Sequence, residues 1–327
     1  MNWSGKRALV TGAGGFIGSH LTEQLVRAGA TTRAFVHYNA LGTWGWLESS
    51  DLRPHIDVVA GDIRDYHSVQ SAMQGIDIVF HLAALIAIPY SYEAPGSYVR
   101  TNIEGTLNVL QAARACGVQR VVHTSTSEVY GTAHYVPIDE KHPLQGQSPY
   151  SATKIGADKL AESFHLSFDL PVVTVRPFNT YGPRQSSRAI IPTLISQCLS
   201  HETVQVGNLH PTRDLNYVRD TATGFMAAAA SDAAIGKVLN IGSGREISIG
   251  DLAQMIILLT GRNVELVIDE QRTRPKKSEV ERLLADNRLA RTLTGWEPQV
   301  TLREGLERTI SWVDSNLSAY KTNVYQR

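Results

Sequence analysis

Tyr150 and Lys154 stand four residues apart, and no other tyrosine in the chain is followed by a lysine at that distance. On a helix this spacing puts both side chains on one face, one turn apart. A phenol with a pKa of about 10 is a poor base at neutral pH. A neighbouring ammonium favours the phenolate and lowers that pKa, which suits it to taking a proton from a sugar hydroxyl. Alone, the pair reads equally well as a tyrosine anchoring a helix start beside an exposed lysine. Upstream, the stretch 121–131 leaves an apolar run and enters Thr124-Ser125-Thr126-Ser127-Glu128. In an open parallel sheet, ligands bind at the carboxyl ends of strands. Thr126, Ser127 and Glu128 would then be a relay of hydroxyls and a carboxylate beside the phenol. Further upstream, Gly12, Gly15 and Gly18 follow the apolar Ala8-Leu9-Val10 and precede an amphipathic pattern (Ile17, Leu21, Leu25, Val26). That spacing lets a strand turn tightly into a helix whose N-terminus faces a pyrophosphate.

These residues need a scaffold, and the hydrophobic pattern supplies one. Strand-like runs fall near 7–11, 31–36, 56–60, 77–82, 119–125 and 171–176, with helical patterns near 16–28, 66–74, 97–116 and 149–168. Such alternation predicts an α/β fold with a doubly wound parallel sheet. After Pro177 the alternation loosens. Helices are expected near 189–200, 219–231, 248–260 and 302–317, and strands near 204–206, 214–218, 237–241 and 264–268. The expected division is a nucleotide-binding domain over 1–177 and a smaller α/β lobe over 178–327, with some segments returning to the first sheet. A ligand cleft would lie between them.

Composition narrows the function. The 327 residues carry 31 Lys plus Arg and 31 Asp plus Glu, so no global positive field favours nucleic acid or an anionic membrane. The two cysteines, Cys116 and Cys198, suit neither a disulfide framework nor a zinc site, and no metal is expected. No secretory segment or membrane-length apolar run is present, so a soluble cytoplasmic protein is expected.

With these residues in order, the chain resembles the extended short-chain dehydrogenase/reductases, specifically the nucleotide-sugar epimerase and dehydratase group. The likeness spans nearly the whole chain. It includes His81-Leu82-Ala83-Ala84, Asn102-Ile103-Glu104-Gly105-Thr106, 176–184 and 213–220. It implies a Rossmann sheet that holds NAD(P) through Gly12, Gly15, Phe16, Ile17, Gly18, His37, Asp62, Ile63, Leu82, Ala83, Ala84, Tyr150 and Lys154. The second strand ends at His37-Tyr38 with no carboxylate to repel a 2′-phosphate. NADP is therefore admissible and favoured on charge, although Arg33 forms no fork to grip it and NAD stays open.

Within that group, Thr126-Ser127-Glu128 resembles the strand-end triplet of sugar 4,6-dehydratases. Plain 4-epimerases usually lack the acid, and UDP-glucuronate decarboxylases share a similar Thr-Ser-Glu. Trp44-Gly45-Trp46, Gly146-Gln147-Ser148-Pro149 and Arg188-Ala189-Ile190-Ile191-Pro192 most resemble dehydratases of the legionaminic and related nonulosonic acid pathways. The resemblance implies that Tyr150, sharing a hydrogen bond with Thr126, deprotonates the sugar 4-hydroxyl as C4 gives up hydride. The new ketone acidifies C5, Glu128 removes that proton, and water leaves from C6 with Ser127 relaying or orienting. Asn179, Arg188, Arg213 and Arg274 match residues placed around the sugar diphosphate, where a guanidinium can donate two bonds at once.

The substrate so implied is UDP-N-acetylglucosamine, with a GDP-linked N-acetylhexosamine the near rival and the product a ketone or its enol precursor. The same fold also admits a decarboxylase or 4-epimerase. A non-catalytic NAD(P)-binding regulator fits less well, because Thr126, Glu128, Tyr150 and Lys154 are all intact. Relatives pair two helices across a homodimer, and Leu107, Leu110, Ile155, Leu160 and Phe164 form an apolar stripe that suits either such pairing or burial on the sheet.

Overall fold

The computed structural model describes residues 2–269, 272 and 279–320. In chain order it contains β1 (Arg7–Thr11), α1 (Phe16–Arg27), β2 (Thr31–His37), β3 (Ile56–Gly61), α2 (Tyr66–Met73) and β4 (Ile78–His81). Next come α3 (Ile88–Glu93), α4 (Pro95–Tyr98), α5 (Gly105–Ala115), β5 (Arg120–Thr124), α6 (Pro149–Phe168) and β6 (Val172–Pro177). Then follow β7 (Asn179–Tyr181), α7 (Ile190–Ser200), β8 (Thr203–Val206), β9 (Thr212–Tyr217), α8 (Val218–Ala230) and β10 (Val238–Ile241). The last elements are β11 (Glu246–Ser248), α9 (Ile249–Thr260), β12 (Glu265–Ile268), β13 (Arg282–Leu283), α10 (Arg288–Thr294) and α11 (Leu302–Ser315).

Seven parallel strands form the central sheet in the order β10-β6-β5-β4-β1-β2-β3. The order in which strands are added reverses between β1 and β4, which is where an open α/β sheet leaves a crevice. Alternation along each strand splits the core into two layers. Ala8, Val10, Val122 and Val173 pack towards α1 and α8, meeting Leu21, Leu25, Phe225 and Ala229. Leu9, Val79, Val121 and Val172 pack the other way, against Val69, Leu110 and Phe164. The stripe considered for helix pairing is largely consumed here. Leu110 and Phe164 are buried in this second layer and Leu107 and Leu160 lie half-buried against it, while Ile155 packs beside Val129 and Phe178.

Two features of the chain beyond residue 177 bear on the site. β10 extends the central sheet beside β6, and α8 closes over α1. A separate small sheet is built on β9, which pairs with β7, β11 and β13. The loop 39–49 links the two regions. Trp46 donates its amide to the Gly14 carbonyl at 3.0 Å, and its indole stands edge-on to Trp312 of α11 at 5.2 Å.

Sequence periodicity suggested one helix over 97–116, but the structure breaks it. α4 passes through a π-helical turn, Val99–Glu104, into α5. The turn presents Asn102 to the loop after β4. Its side chain accepts from the Leu85 amide at 2.9 Å and donates to the Leu85 carbonyl at 3.0 Å and the Thr153 hydroxyl at 3.1 Å. α6 starts as the sequence suggests. Pro149 takes the first turn, and Ser148 and Ser151 form a reciprocal capping box. Among the described residues, no helix is long and apolar enough to cross a membrane.

Asn102→Ala should leave the backbone groups of Leu85 without partners in a buried place, costing about 2–3 kcal/mol. Urea unfolding of the variant beside the wild type measures that loss. A midpoint within error of the wild type would remove Asn102 from the account of how the site loop is held.

Candidate active site

The parallel register brings the strand ends into line. Thr11 lies opposite Phe35 on one side and His81 on the other, and His81 lies opposite His123. Gly12, Leu82 and the residues after Thr124 therefore leave the sheet along one edge.

The glycines at that edge do different work. Gly12 has φ +70°, and a Cβ there would stand 2.9 Å from the Ala83 backbone. A Cβ on Gly18 would meet the Gly12 carbonyl oxygen at 2.2 Å. Both glycines are demanded by the protein's own packing. At Gly15 a Cβ would meet only that same oxygen, at 3.2 Å, so the space above it is open. Gly15 is also the N-cap of α1, supplies no side-chain cap, and is followed by no acidic residue in the first turn. The amides of Phe16, Ile17 and Gly18 are then helix-start donors of the kind that bind an anion. This cradle fits a dinucleotide pyrophosphate.

Around the cradle, Thr11 ties the ends of β1 and β4 together. Its hydroxyl accepts from the amides of Leu82 and Ala83, each at 3.1 Å, and lies 2.9 Å from His81 Nδ1. The other ring nitrogen of His81 lies 3.0 Å from the Thr106 hydroxyl, which itself donates to the Asn102 carbonyl. Neutral His81, protonated at Nε2, satisfies every partner, and burial holds its pKa well below the ordinary value. Ala84 follows, half-buried, and leads to the Asn102-clamped turn. His37 is exposed at the end of β2. Asp62 is chelated by Arg64, whose bonds hold its carboxyl below the usual range. Ile63 is buried against Gly105. Arg33 is paired with Asp57 at 2.6 Å, and so is committed to β3.

The reactive cluster lies where α6 meets the end of β5. Thr126 is extended (φ −162°, ψ 154°) and caps a short 3-10 turn, Ser127–Tyr130, accepting from the Glu128 amide at 3.2 Å. Thr126 is also near enough to the Tyr150 phenol to lower its pKa, and Glu128 is close enough to act on that phenol electrostatically. Thr126 thus stands beside the phenol while its hydroxyl fixes the backbone of the turn that carries Glu128. Ser127 is buried beneath the turn, and Glu128 is half-buried. The Tyr150 ring is enclosed by Tyr98, edge-on at 6.3 Å, together with Ile88 and Leu85.

One expectation fails here. The sequence suggested that Lys154 lowers the phenol's pKa, yet burial dominates and pushes it up, with only Thr126 opposing. Lys154 donates to the Thr124 carbonyl at 2.6 Å, and burial drops its own pKa to about 8. Burial thus favours the protonated phenol, which must give up that proton before it can act as a base.

Sequence reasoning missed the polar group beneath the cluster. Asp158, one turn beyond Lys154, contacts His123, Ser125 and Arg176, and all four side chains are buried. The i,i+4 spacing from Lys154 was the only available signal.

Of the residues matched to a sugar diphosphate, Asn179 sits at the start of β7 with a buried amide oxygen that has no partner among the described residues. Arg213, on β9, is buried and paired with Glu279 at 3.4 Å. Arg188 is exposed and lies near enough to Tyr98 to act on it electrostatically. Arg274 is outside the described residues. Among those residues, no cluster of three or more His, Cys, Asp or Glu is arranged to hold a metal.

Residues 9–309 match the model of the family described as GDP-mannose 4,6 dehydratase. The chain belongs to that family. Its relatives include a dTDP-glucose 4,6-dehydratase of Streptomyces antibioticus, 34% identical over 94% of this chain and 92% of the relative. They also include a UDP-glucose 4-epimerase of Mycolicibacterium smegmatis, 32% identical over 94% of this chain and 98% of the relative. Among solved structures, DesIV, a dTDP-glucose 4,6-dehydratase of Streptomyces venezuelae with NAD and TYD bound, superposes with a TM-score of 0.88. It is 31% identical and the match covers 96% of this chain and 99% of that one. The chain is therefore an enzyme of the nucleotide-sugar dehydratase and epimerase family.

Gly15→Ala separates cradle from scaffold. The fold needs to give only a few tenths of an ångström, so Tm should move little, whereas dinucleotide affinity should fall by about ten-fold or more because the methyl occupies the approach. Titration of NAD and NADP followed by tryptophan fluorescence reads the affinity. Unchanged affinity for both would place the pyrophosphate elsewhere.

Proposed function

We propose that this protein is a nucleotide-sugar 4,6-dehydratase that converts UDP-N-acetylglucosamine to its 4-keto-6-deoxy product. The observation that carries the reading is Glu128, half-buried in the turn that Thr126 caps and near enough to the Tyr150 phenol to act on it electrostatically. Epimerisation at C4 needs one proton acceptor at the 4-hydroxyl. Elimination across C5 and C6 needs a second, and in this reading Glu128 is that second group.

In this reading Gly12, Gly15, Phe16, Ile17 and Gly18 hold the pyrophosphate of NAD(P). His37, Asp62 and Ile63 line the adenosine end, while Leu82, Ala83, Ala84 and Lys154 line the nicotinamide end. The cofactor, when bound, would supply a hydride acceptor and later donor. Tyr150 takes the 4-hydroxyl proton, with Thr126 holding the phenol in line. The ketone so formed acidifies C5, and Glu128 removes that proton. The proton passes to the departing 6-hydroxyl, with Ser127 orienting the transfer, so one water leaves. C6 gains the hydride and C5 regains a proton, which Tyr150 can supply, and the product is the substrate less one water. Asn179, Arg188, Arg213 and Arg274 hold the diphosphate and sugar.

Further features go with this reading. His37 in place of a carboxylate favours NADP, with NAD as the alternative. The Trp44-Gly45-Trp46 loop supports a role in supplying nonulosonic acids of the legionaminic type, in the cytoplasm. A homodimer through α5 and α6 would cover Leu166 and Phe168, apolar side chains exposed on α6. Sedimentation equilibrium should give twice the chain mass.

Incubation with UDP-N-acetylglucosamine, followed by mass spectrometry, separates the reactions this family supports. Dehydration yields a product lighter by one water, epimerisation conserves mass, and decarboxylation requires a uronate. Glu128→Gln should cut turnover by about 100-fold or more while leaving dinucleotide binding intact. Near wild-type formation of the keto sugar by that variant would refute the assignment of Glu128.

A further inference from the structure

One buried carboxylate has no part in the chemistry just described. Asp158 lies on α6 one turn beyond Lys154, so the two side chains leave the same face. Its Oδ1 accepts from His123 Nε2 at 3.1 Å. Its Oδ2 accepts from the Ser125 hydroxyl at 2.8 Å and from Arg176 at 2.9 and 3.2 Å. Lys154 donates to the carbonyl of Thr124, the residue between those two partners. α6 therefore grips three consecutive residues, the last two of β5 and Ser125 just beyond it, immediately before Thr126. Alternation along the strand explains the choice, since residues 123 and 125 face one side together.

We propose that Asp158 is a positioning residue: its carboxylate locks α6 onto the end of β5, so that Tyr150 stands beside Thr126 and Glu128, and, one turn from Lys154 on the same helix face, it is that lysine's counter-charge. The proposal borrows from the preceding reading only the roles of Tyr150 and Glu128.

The charge inventory leaves few alternatives. The polar and titratable groups around Lys154 and Asp158 are His81 from β4, His123 from β5, Arg176 from β6, Tyr150 on α6, and Tyr130, Glu128 and Ser125 from the strand-end segment. Burial lowers the pKa of both imidazoles, and both are neutral at pH 7. His123 donates through Nε2, and its Nδ1 has no partner among the described residues. The Tyr130 phenol is raised to about 12 by burial and carries no charge. Burial opposes the charge on Asp158, but His123, Arg176 and Ser125 outweigh it and bring the carboxyl to about 2. One carboxylate thus faces two buried cations, Arg176 and Lys154, and burial drives the lysine down to about 8 while Asp158 alone holds it up. Coupling of this kind is reciprocal, so it is measurable from either partner.

Thermal unfolding of wild type, Asp158→Asn, Lys154→Met and the double variant, at about pH 6.5 and 9.5, tests this without any turnover. Below about pH 8 Lys154 of the wild type is charged, so loss of the carboxylate either strands that charge beside Arg176 or makes the lysine give up its proton; above it Lys154 is already neutral and only Arg176 suffers. Asp158→Asn should therefore lose at least about 2 °C more in Tm at the lower pH. That excess should vanish in the Lys154→Met background. An equal loss at both pH values, or an excess that survives Lys154→Met, overturns the proposal.

Should Asp158→Asn fail to fold, Ser125→Ala removes one donor to the carboxylate without changing charge. It should lower kcat about five-fold or more, at unchanged KM, on whichever nucleotide sugar the wild type converts; an unchanged kcat overturns the positioning role. Absence of turnover on UDP-N-acetylglucosamine would count against the proposed substrate and leave the Tm cycle to decide this inference.

Discussion

No side chain fits between residue 12 and residue 83. The backbone of the turn after β1 lies against the backbone that leaves β4, at the point where the strand order reverses. That approach is the constraint on which the rest of the edge is built. It forces Gly12 into the left-handed region, brings the Gly12 carbonyl under Gly18, and so starts α1 where its amides face outward. It also lets Thr11 satisfy two amides of the β4 end. From there a chain of hydrogen bonds runs through His81 and Thr106 to Asn102, and Asn102 reaches α6 at Thr153. The helix that carries the phenol is thus referenced, by bonds rather than by apolar contact alone, to the turn that carries the glycines.

Much of this was legible because it depends on spacing. Gly12, Gly15 and Gly18, the strand ends and the Tyr150–Lys154 pair are periodic signals, and the structure assembles them on one sheet edge. What escaped depends on burial. Asp158 reads as a solvated charge on an amphipathic helix, because the sequence does not show that β5 and β6 will enclose it. The sign of the Tyr150 shift was misjudged for the same reason: neighbours are visible in a sequence, desolvation is not. The π-turn at 99–104 was hidden, since a helical pattern does not report one extra residue per turn. β7, β11 and β13 hold three or fewer residues each, too few for alternation to register.

The family comparison sharpens where chemistry is decided. An epimerase and a dehydratase resemble this chain almost equally across nearly its whole length. Overall likeness therefore does not choose between the two reactions, and the choice rests on individual side chains. The turn that carries Glu128 is one place to look: it is a four-residue 3-10 turn capped by the hydroxyl of Thr126.

The indole pair Trp46 and Trp312 has a topological meaning. Trp46 is bonded through its amide to Gly14, inside the glycine turn, while its ring leans on a helix from the far end of the chain. One residue thus touches both the glycine turn and a helix from the far end of the chain, so the sequence positions 14 and 312, distant along the backbone, share a neighbour in space.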